Sequence, residues 1–561
     1  MNAIFDRSPT WAWLRCALAE LLAVTFFVLL ASAGLSQAKG TPSKQGSARP
    51  NIVLIQADDA ISGDIRFMPN VSRLMDRGGT QFSNYVVPYP LCGPARASLL
   101  TGQLSHNNQV LSNFRSNDGG HMRFEELTGR LNEKNSLGPW LHRSGYRTAL
   151  VGKYLNEYGS LDRTEIPPGW DRWAALLDNS TYDYFNYMMN VDGKVQVHGD
   201  PIYAEAQVNF ATLSTENPPK SFAELLALTR KAFNPYDYFG TQDESEYSMD
   251  VGGRFAANFV KNAAPRKKPF FLYYAPPGPH AEDTNHFQGL RPGAPEPDPR
   301  PPARYRDTFD DTPLPRPASF NEADVSDKAS NLKNLPLLTE EGIAEIQENY
   351  RGRLGALRAV DDQVGKITKQ LKKSGEFRNT YFIFTSDNGY MQGEHRLRSS
   401  KFLPYENSVK VPALMSGPGI KTGKTKTGAA MDVDITATVL DMAGVRSGRT
   451  PDGISLLPAA KGKKKLPKRD QPLEAMRPLF LFSTPLTAFD VPYYGVRTDR
   501  YKYIHWSFTD GNGAAETELY DLKKDPDELN NLSSDPSMAA IKADLEAEAS
   551  RLRTCRGTGC R

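Results

Sequence analysis

The chain has almost no net charge, few cysteines and no apolar stretch long enough to cross a membrane. Lys and Arg total 68 against 65 Asp and Glu, a formal charge of +3. No global electrostatic field therefore points to nucleic acid as a partner. The strongly apolar run at 21–30 is shorter than the ~20 residues that a membrane span needs. The partner has to be inferred from a local site.

The N-terminal segment is arranged like a secretory signal. Arg7 and Arg15 precede the apolar run, and small residues after it offer cleavage following Ala33 or Ala38. We predict a signal peptide over 1–38, with export to a secreted, periplasmic or lysosomal compartment. No stable membrane span would remain after the signal is removed. The alternative is an uncleaved anchor.

The four cysteines have separate interpretations. Cys16 would leave with the signal. Cys555 and Cys560 are close in sequence, and a disulfide between them is expected in an oxidising compartment, with a frayed reduced tail as the alternative. Cys92 remains as a candidate nucleophile or, in the simplest interpretation, a buried small apolar residue.

Beyond a polar linker, apolar strand patterns alternate with helical patterns, which is typical of an α/β sheet enzyme. The predicted strands are 51–56, 146–151, 268–274, 381–385 and 411–416. The predicted helices are 137–144, 247–261, 434–442 and a long one whose apolar positions recur from Tyr350 to Leu371 and which stops at Gly375. We assign 39–460 to one large catalytic domain.

Three further segments complete the predicted organisation. The range 461–478 begins with six basic residues in nine positions and is predicted to be a solvated linker rather than a nucleic-acid patch. The range 479–561 is predicted to be a small α+β domain, with strands at 479–483, 493–497 and 501–506 and a helix at 537–552. Residues 171–240 are expected as insertions over one face of the sheet. The proline-rich range 291–317 is expected to line the cleft entrance or form a solvated loop.

Polar residues recur just after predicted strands. They come from distant parts of the sequence: Asp58, Asp59, Lys153, His280, Asp387 and Asn388. Because the carboxyl ends of parallel strands share one edge of a sheet, and ligands bind at that edge, these residues are expected to form one site. Adjacent carboxylates such as Asp58 and Asp59 repel each other unless a cation lies between them, although Asp-Asp also opens ordinary turns.

The donor types indicate which metal such a site would hold. Asp58, Asp59, Asp387 and the Asn388 carbonyl are hard oxygen donors without a Cys or His cluster, so Ca²⁺ or Mg²⁺ is favoured over zinc. We choose one Ca²⁺ per chain, since calcium accepts more ligands. Arg96, Lys153, His280 and Lys401 would supply positive charge for an oxyanion.

Cys92 begins a stretch, 91–102, that is predicted to be a turn followed by a short helix. Pro94 suits an early helical position, Leu99 and Leu100 face inward, and Gly102 ends the element. Cys92 would then lie where the helix dipole and free N–H groups attract anions.

The pattern Cys92-x-Pro94-x-Arg96, with Leu-Leu and Thr-Gly after it, resembles the signature of type I sulfatases. The resemblance extends over about 50–532. It includes the strand before Asp58-Asp59, Gly152-Lys153, His280, Ser386-Asp387-Asn388-Gly389, Gly393-Glu394-His395, Lys401 before Pro404-Tyr405-Glu406, and Leu519-Tyr520-Asp521-Leu522. The run from Gly152 to Gly159 is similar to the arylsulfatase and N-acetylglucosamine-6-sulfatase branch.

This resemblance implies an alkaline-phosphatase-like fold, with a large, mixed, mostly parallel sheet, helices on both faces and a small C-terminal α+β domain. It implies that a formylglycine-generating enzyme converts Cys92 to 3-oxoalanine (formylglycine). The hydrate of that residue would contact calcium with the Asp and Asn ligands and attack the sulfur of a sugar or aryl sulfate. His280 or Lys401 would protonate the leaving alcohol, and Arg96 and Lys153 would stabilise the aldehyde hydrate and the bound sulfate.

The sequence departs from the family pattern at one polar position near the predicted site. The histidine common two residues after the lysine is absent, because Leu155 stands there, and Asn156 or His106 is expected to take its polar role. Two other functions stay open. One is a phosphodiester or phosphonate monoester hydrolase of the same superfamily. The other is a non-catalytic protein that binds sulfated glycans, if Cys92 stays a thiol.

Overall fold

The computed structural model describes residues 49–561 apart from 77, 127–131, 179, 202–242, 265–267, 283–298, 400, 478–490 and 510–514. The predicted signal and the predicted strand 479–483 lie outside these residues. In the described part the strands are, in chain order, β1 Asn51–Ala57, β2 Gly79–Phe82, β3 Tyr85–Val86, β4 Arg147–Gly152, β5 Arg172–Leu176, β6 Tyr187–Val191, β7 Lys194–His198, β8 Phe270–Ala275, β9 Thr380–Ser386, β10 Ala413–Ser416, β11 Lys424–Lys426, β12 Ala430–Met431, β13 Gln471–Ala475, β14 Tyr493–Arg497, β15 Tyr501–Thr509 and β16 Ala515–Asp521.

The main sheet has the strand order β11-β2-β10-β9-β1-β8-β4-β5-β6-β7 among the described residues. Its centre is parallel: β1 pairs with β8 and β9, and β4 pairs with β5 and β8. The outer strands β10, β6 and β7 run antiparallel to their neighbours. This confirms the predicted fold class of a large mixed sheet with a parallel centre.

Strand β1 illustrates why the centre is parallel and buried. All seven residues of β1 are buried, because helices cover both faces of the sheet. Ile52 and Leu54 point into one apolar core, and Val53 and Ile55 point into the other. Each residue in turn therefore contributes to one of the two layers that hold the central strands in place.

Helices pack on both faces. One face is covered by Pro69–Asp76, Ser248–Ala263 and Glu340–Lys373, and the other by Cys92–Thr101, Leu137–Arg143 and Val433–Ala443. Shorter helical segments are Ser105–Asn108, Gly120–Glu126, Glu406–Val409 and Leu457–Ala460. The long helix Glu340–Lys373 is confirmed. Thr339 caps its N-terminus by accepting a hydrogen bond from Gly342 N, and the left-handed Gly375 follows its end.

Residues 171–240 differ from the sequence-based expectation where they are described. Strands β5, β6 and β7 extend the sheet at its edge instead of lying over one face. The short segments 172–176 and 187–191 are paired and largely buried, and a five-residue strand carries too little periodicity to be separated from a loop by pattern alone. Within 299–317 the structure has one short 3-10 turn, Ala303–Tyr305.

The C-terminal part is a four-stranded antiparallel sheet, β13-β14-β15-β16, covered by the helix Ala539–Leu552. Its first strand, Gln471–Ala475, lies inside the range predicted as linker, so the sheet begins earlier than that prediction. The pairing partner β14 is about twenty residues downstream, and such a distant partner cannot be inferred from a local pattern. The predicted Cys555–Cys560 disulfide is confirmed.

Candidate active site

Four neighbouring parallel strands bring the predicted polar residues to one edge of the sheet. Asp58 and Asp59 follow β1, Lys153 follows β4, His280 lies five residues beyond β8, and Asp387 follows β9. Backbone hydrogen bonds join these strand ends, from Asp58 N to Gly278 O at 3.3 Å and from Asp387 N to Ala57 O at 3.3 Å. The expected convergence therefore occurs.

Two backbone features let the loops approach so closely. Gly152 has φ +107°, and a Cβ there would lie 2.0 Å from Ala275 O. Only glycine can therefore end β4 while Lys153 N donates to Ala275 O at 2.7 Å. Asp59 adopts φ 66°, a conformation that turns the chain directly after Asp58 and aims the two carboxylates differently.

Cys92 enters the same cluster from a different element. It is the first residue of the helix Cys92–Thr101, which is buried along its whole length and ends at Gly102 with φ 71°. Its Sγ lies 3.6 Å from Asp58 Oδ1, 3.6 Å from Asn388 Oδ1 and 3.2 Å from Lys401 Nζ. The helix thus presents Cys92 to two of the four predicted oxygen ligands and to a cation.

The oxygen donors are held by hydrogen bonds from the loops that carry them. Asp387 Oδ1 accepts from Asp59 N at 3.2 Å and from Asn388 N at 2.9 Å. Asn388 Nδ2 donates to Asp59 Oδ1 at 2.6 Å, which leaves Asn388 Oδ1 on the side of Cys92. Asp58, Asp59 and Asp387 are each at most 1% exposed. Three buried carboxylates and an amide oxygen therefore share one small volume.

Three cations surround these carboxylates. Arg96 Nε donates to Asp387 Oδ2 at 2.8 Å, and Lys153 Nζ lies 2.5 Å from Asp58 Oδ2. Lys401 Nζ lies 2.7 Å from Asp59 Oδ1 and 3.0 Å from Asp59 Oδ2. Each carboxylate thus has its own cationic partner, which limits the cost of burying the charges.

The surroundings raise the pKa values of three of these groups, for different reasons. Burial and the neighbouring Asp58 raise the pKa of Asp387, in spite of Arg96. Burial lowers the pKa of Lys153, but the negative charge of Asp58 outweighs it and the net shift is upward. Burial raises the pKa of the Cys92 thiol to about 12, although Lys153 and Lys401 lower it. At neutral pH the unmodified Cys92 is a thiol and a poor nucleophile.

His280 lies at the rim of this cluster. Its Nδ1 lies 2.5 Å from Ala281 O, and because a carbonyl only accepts, Nδ1 carries a proton. Its Nε2 then faces Asp59 Oδ2 at 3.7 Å. Asp58, Asp59, Cys92 and His280 each place one ligand atom within 4.8 Å of the others.

Tyr182 is a site residue that sequence reasoning missed. Its ring packs on His280 with centroids 4.2 Å apart, and Lys153 Nζ lies 4.5 Å from the ring centroid. Its hydroxyl accepts a hydrogen bond from Asn156 Nδ2 at 2.7 Å. Asn156, one of the two predicted substitutes for the absent histidine, therefore acts on the site through Tyr182. Tyr182 lies in a segment that contains several tyrosines, and no local sequence pattern distinguishes it from them.

Arg353 is a second site residue that the sequence did not reveal. It lies within the long helix, whose pattern predicts only a structural role. Its side chain is fully buried. Nη2 donates to Asp59 O at 2.7 Å and Nη1 donates to Pro279 O at 3.3 Å, and the guanidinium carbon lies 4.2 Å from the Tyr390 ring centroid. Arg353 therefore joins the loop that carries Asp59 to the loop that carries His280 through these two hydrogen bonds.

His106, the other predicted helper, does not join the cluster. Its Nδ1 lies 2.6 Å from Glu474 Oε2 and its Nε2 lies 2.9 Å from Cys555 O. Both ring nitrogens are thus engaged by strand β13 and the C-terminal tail. These contacts correct the expectation that His106 could take the polar role of the absent histidine. The helix Ser105–Asn108 turns away after Gly102 and presents His106 to the C-terminal module instead.

Comparison with known proteins assigns the chain to the same family as the sequence motifs. Residues 50–445 match the sulfatase family model, and 393–555 match the model of the C-terminal region of N-sulphoglucosamine sulphohydrolase. The chain belongs to the sulfatase family, and it is a sulfuric ester hydrolase. It is similar to the N-acetylglucosamine-6-sulfatase of Capra hircus, with 29% identity over 548 residues that cover 92% of this chain and 86% of the relative.

Solved structures share the fold. A protein in complex with its substrate D-glucosamine-2-N,6-O-disulfate superimposes with a TM-score of 0.64 and 23% identity, covering 90% of this chain and 97% of that chain. A phosphonate monoester hydrolase of Agrobacterium radiobacter superimposes with a TM-score of 0.59 and 21% identity, covering 90% and 95%. The fold alone therefore does not distinguish between these ester classes.

Proposed function

We propose that this protein is an exported sulfatase that hydrolyses a sulfate monoester of a sugar, with formylglycine at position 92 as nucleophile and one Ca²⁺ beside it. The observation that carries the proposal is the position of Cys92 Sγ, which lies 3.6 Å from Asp58 Oδ1, 3.6 Å from Asn388 Oδ1 and 3.2 Å from Lys401 Nζ. A single side chain thus adjoins both the oxygen donors and a cation.

The residues present fit a calcium ion. Asp58, Asp59, Asp387 and the Asn388 side-chain oxygen form a hard-oxygen set of the kind that Ca²⁺ takes. Burial and the neighbouring Asp58 raise the pKa of Asp387 even though Arg96 contacts both carboxylates, and a bound cation would relieve this repulsion. When bound, the ion would draw negative charge from the nucleophile and from the sulfate. The residue at 92, once converted, would lie against it.

The high pKa of the Cys92 thiol favours conversion of this residue. A buried thiol that stays protonated cannot attack a sulfate ester, whereas an aldehyde hydrate offers hydroxyl groups that suit an oxygen-seeking cation. The conversion requires a formylglycine-generating enzyme as a maturation partner. The predicted signal peptide agrees with a protein that matures during export.

The remaining side chains have separable roles. Lys153 and Arg96 would hold the sulfate and the hydrated side chain, because their charges lie on the Asp58 and Asp387 side of Cys92. Lys401 contacts both Asp59 and Cys92. His280 or Lys401 would give a proton to the departing sugar oxygen, and a positioned acid of this kind typically contributes ~100-fold or more.

The substrate class follows from the relatives. The name N-acetylglucosamine-6-sulfatase and the disulfated glucosamine bound to the structural relative make a 6-O-sulfated glucosamine unit the first substrate to test. Sulfate esters of other sugars and of aryl alcohols are the comparison set. A sulfate monoester carries one negative charge. The three cations are each paired with a carboxylate, so the bound Ca²⁺ would supply the excess positive charge that neutralises it.

The deciding experiment combines a mass measurement with a substrate screen. The peptide containing Cys92, from protein made in its own host, should have the mass of formylglycine or its hydrate. The same protein should hydrolyse 6-O-sulfated N-acetylglucosamine, and the Cys92→Ala variant should not. An unmodified thiol in folded protein, without turnover, would contradict the proposal and favour a glycan-binding protein.

The rival function is a phosphodiester or phosphonate monoester hydrolase, which the shared fold of the Agrobacterium radiobacter enzyme supports. The two classes are separated by kcat/KM on matched aryl sulfate, aryl phosphonate and phosphodiester substrates. Higher kcat/KM on the phosphorus esters would overturn the sulfatase assignment.

A further inference from the structure

Two lysine-bearing segments meet on the surface at an edge of the main sheet. Lys421 and Lys424 belong to the segment that enters the edge strand β11, and Lys461, Lys463, Lys464 and Lys465 follow the helix Leu457–Ala460. Lys421 N donates to Ala460 O at 3.0 Å, and the Thr80 hydroxyl donates to Lys421 O at 2.7 Å. Backbone contacts therefore hold the segments together, and we call these six lysines the lysine ridge.

A cavity of about 610 Å³ adjoins the ridge. Its lining includes the exposed cations Arg73, Lys369, Lys372 and Arg378, and no carboxylate side chain is among its described lining residues. Gly417 and Pro418 also line it. Tyr381 OH donates to Pro418 O at 2.9 Å, and Lys461 Nζ lies 5.4 Å from the Tyr381 ring centroid. Tyr381 belongs to one apolar core and its neighbour Phe382, which lines the cavity, to the other, so the ridge and the cavity lie on the two sides of the sheet near the start of β9. We call the ridge and the cavity together the basic face.

The positive charges of this face are not balanced by ion pairs with carboxylates among the described residues. Within the described parts of the chain, no carboxylate forms an ion pair with a ridge lysine or with the four cavity cations. The segments 417–428 and 461–469 contain no Asp or Glu. Lysines on an edge strand also discourage pairing between sheets, which would explain Lys424. That reason does not apply to 461–465, which form no strand.

The basic face lies away from the catalytic cluster. Tyr381 is the second residue of β9, whereas Asp387 follows its last residue, so the two regions are separated by the length of a strand, ~20 Å at 3.3 Å per residue. The basic face therefore contacts no reacting atom. A ligand bound to the basic face is therefore either long enough to extend to the active site or different from the substrate.

We propose that the basic face is a docking surface for a sulfated polysaccharide whose sulfated sugar units reach the active site. This rests on the proposed function, because sugar sulfates are the esters that the site is proposed to hydrolyse. A sulfated polymer offers regularly spaced anions that complement a row of unpaired lysines. The chain as a whole has a charge of only +3, so the attraction is local, and salt screens it over ~8 Å at physiological ionic strength.

The test uses heparin, chemically desulfated heparin and duplex DNA as probes, with binding measured at several salt concentrations. The quadruple variant Lys421→Gln, Lys463→Gln, Lys464→Gln, Lys465→Gln removes four ridge charges. The matched control removes four exposed lysines elsewhere: Lys268→Gln, Lys333→Gln, Lys523→Gln and Lys524→Gln. Thermal unfolding of both variants shows whether each is folded.

We expect the ridge variant to bind heparin at least about tenfold more weakly than the wild type and the control variant. Its KM for a sulfated polymer should rise, with kcat and KM for a sulfated monosaccharide unchanged. Equal heparin affinity in both variants would overturn the proposal, and so would binding of desulfated heparin or DNA as tight as that of heparin. Heparin binding that depends on the ridge without any sulfate release would instead contradict the proposed function and leave the docking surface standing.

Discussion

The ring of Tyr182 packs against the imidazole of His280 with centroids 4.2 Å apart and tilted by 34°. The same ring lies under Lys153 Nζ, and its hydroxyl accepts a hydrogen bond from Asn156. Tyr182 thus contacts two candidate site residues, His280 and Lys153, with the same ring. The ring contacts and the hydroxyl contact can be tested separately, because Phe in place of Tyr182 keeps the ring and removes the hydroxyl.

The first prediction concerns the Tyr182 ring. Tyr182→Leu removes the surface on which His280 rests, so kcat on a sugar sulfate should fall by about tenfold or more. On 4-nitrophenyl sulfate the loss should be small, since its leaving group needs no proton. Tyr182→Phe keeps the ring and should restore most of the rate. An equal loss on both substrates would show that Tyr182 acts through Lys153 or through folding, and not through the proton donor His280.

The second prediction concerns metal removal. Treatment with a chelator should abolish sulfate release and lower the melting temperature, because Asp58, Asp59 and Asp387 would be left close together without the ion between them. Ca²⁺ should restore both properties better than Mg²⁺, at one ion per chain. Asp387→Asn should lose this calcium response, whereas Arg378→Gln, on the opposite edge, should keep it. An unchanged melting temperature and full activity after chelation would refute the metal assignment.

The third prediction concerns Arg353, whose guanidinium joins Asp59 O to Pro279 O. Arg353→Met leaves both carbonyls without this donor and loosens the loops that carry Asp59 and His280. A displacement of a catalytic group by ~1 Å can cost ~100-fold in rate, so kcat should fall steeply while the protein still folds at low temperature. Arg351→Met is the control, because Arg351 is half-buried on the same helix and pairs with Glu348 instead of with the two loops. A similar loss in both variants would point to the helix rather than to the loops.

The fourth prediction concerns pH and His106. Burial lowers the pKa of His106, but the charge of Glu474 and its hydrogen bond raise it to about 9, from the ordinary value of 6.5. A raised folded-state pKa stabilises the fold fully below pH 6.5, and this contribution disappears as the pH rises through 9. The shift corresponds to ~3 kcal/mol at most.

The measurement is the free energy of unfolding of wild type and His106→Gln between pH 6 and pH 10. The difference between the two proteins should be largest at pH 6 and should shrink as the pH passes 9. Asn107→Ala, which loses hydrogen bonds to Asp452 and Cys555 but no titrating group, should differ from the wild type by a constant amount. A constant difference for His106→Gln would mean that its charge does not stabilise the tail.

Local sequence patterns were sufficient for the framework of this protein. The buried strands around 51–57 and 380–386, the long helix and the polar residues that follow each strand are encoded within a few neighbouring residues, because apolar periodicity and strand length determine which segments are buried on both faces. The parallel arrangement then places Asp58, Lys153 and Asp387 at one edge whatever the loops between them contain. The motif around Cys92 could likewise be predicted from a short stretch of sequence, residues 91–102.

Only the tertiary structure decided how those residues are oriented and supported. Tyr182 and Arg353 act through contacts with residues about 100 and 300 positions away in the sequence, and no local pattern encodes such a pairing. His106 was one of two predicted substitutes for the absent histidine, but after the left-handed Gly102 the chain presents it to Glu474 and Cys555. The lysine ridge likewise joins two segments that are distant in sequence, which a backbone hydrogen bond from Lys421 N to Ala460 O holds together. Local sequence thus determined which groups are present, and long-range packing determined which of them meet.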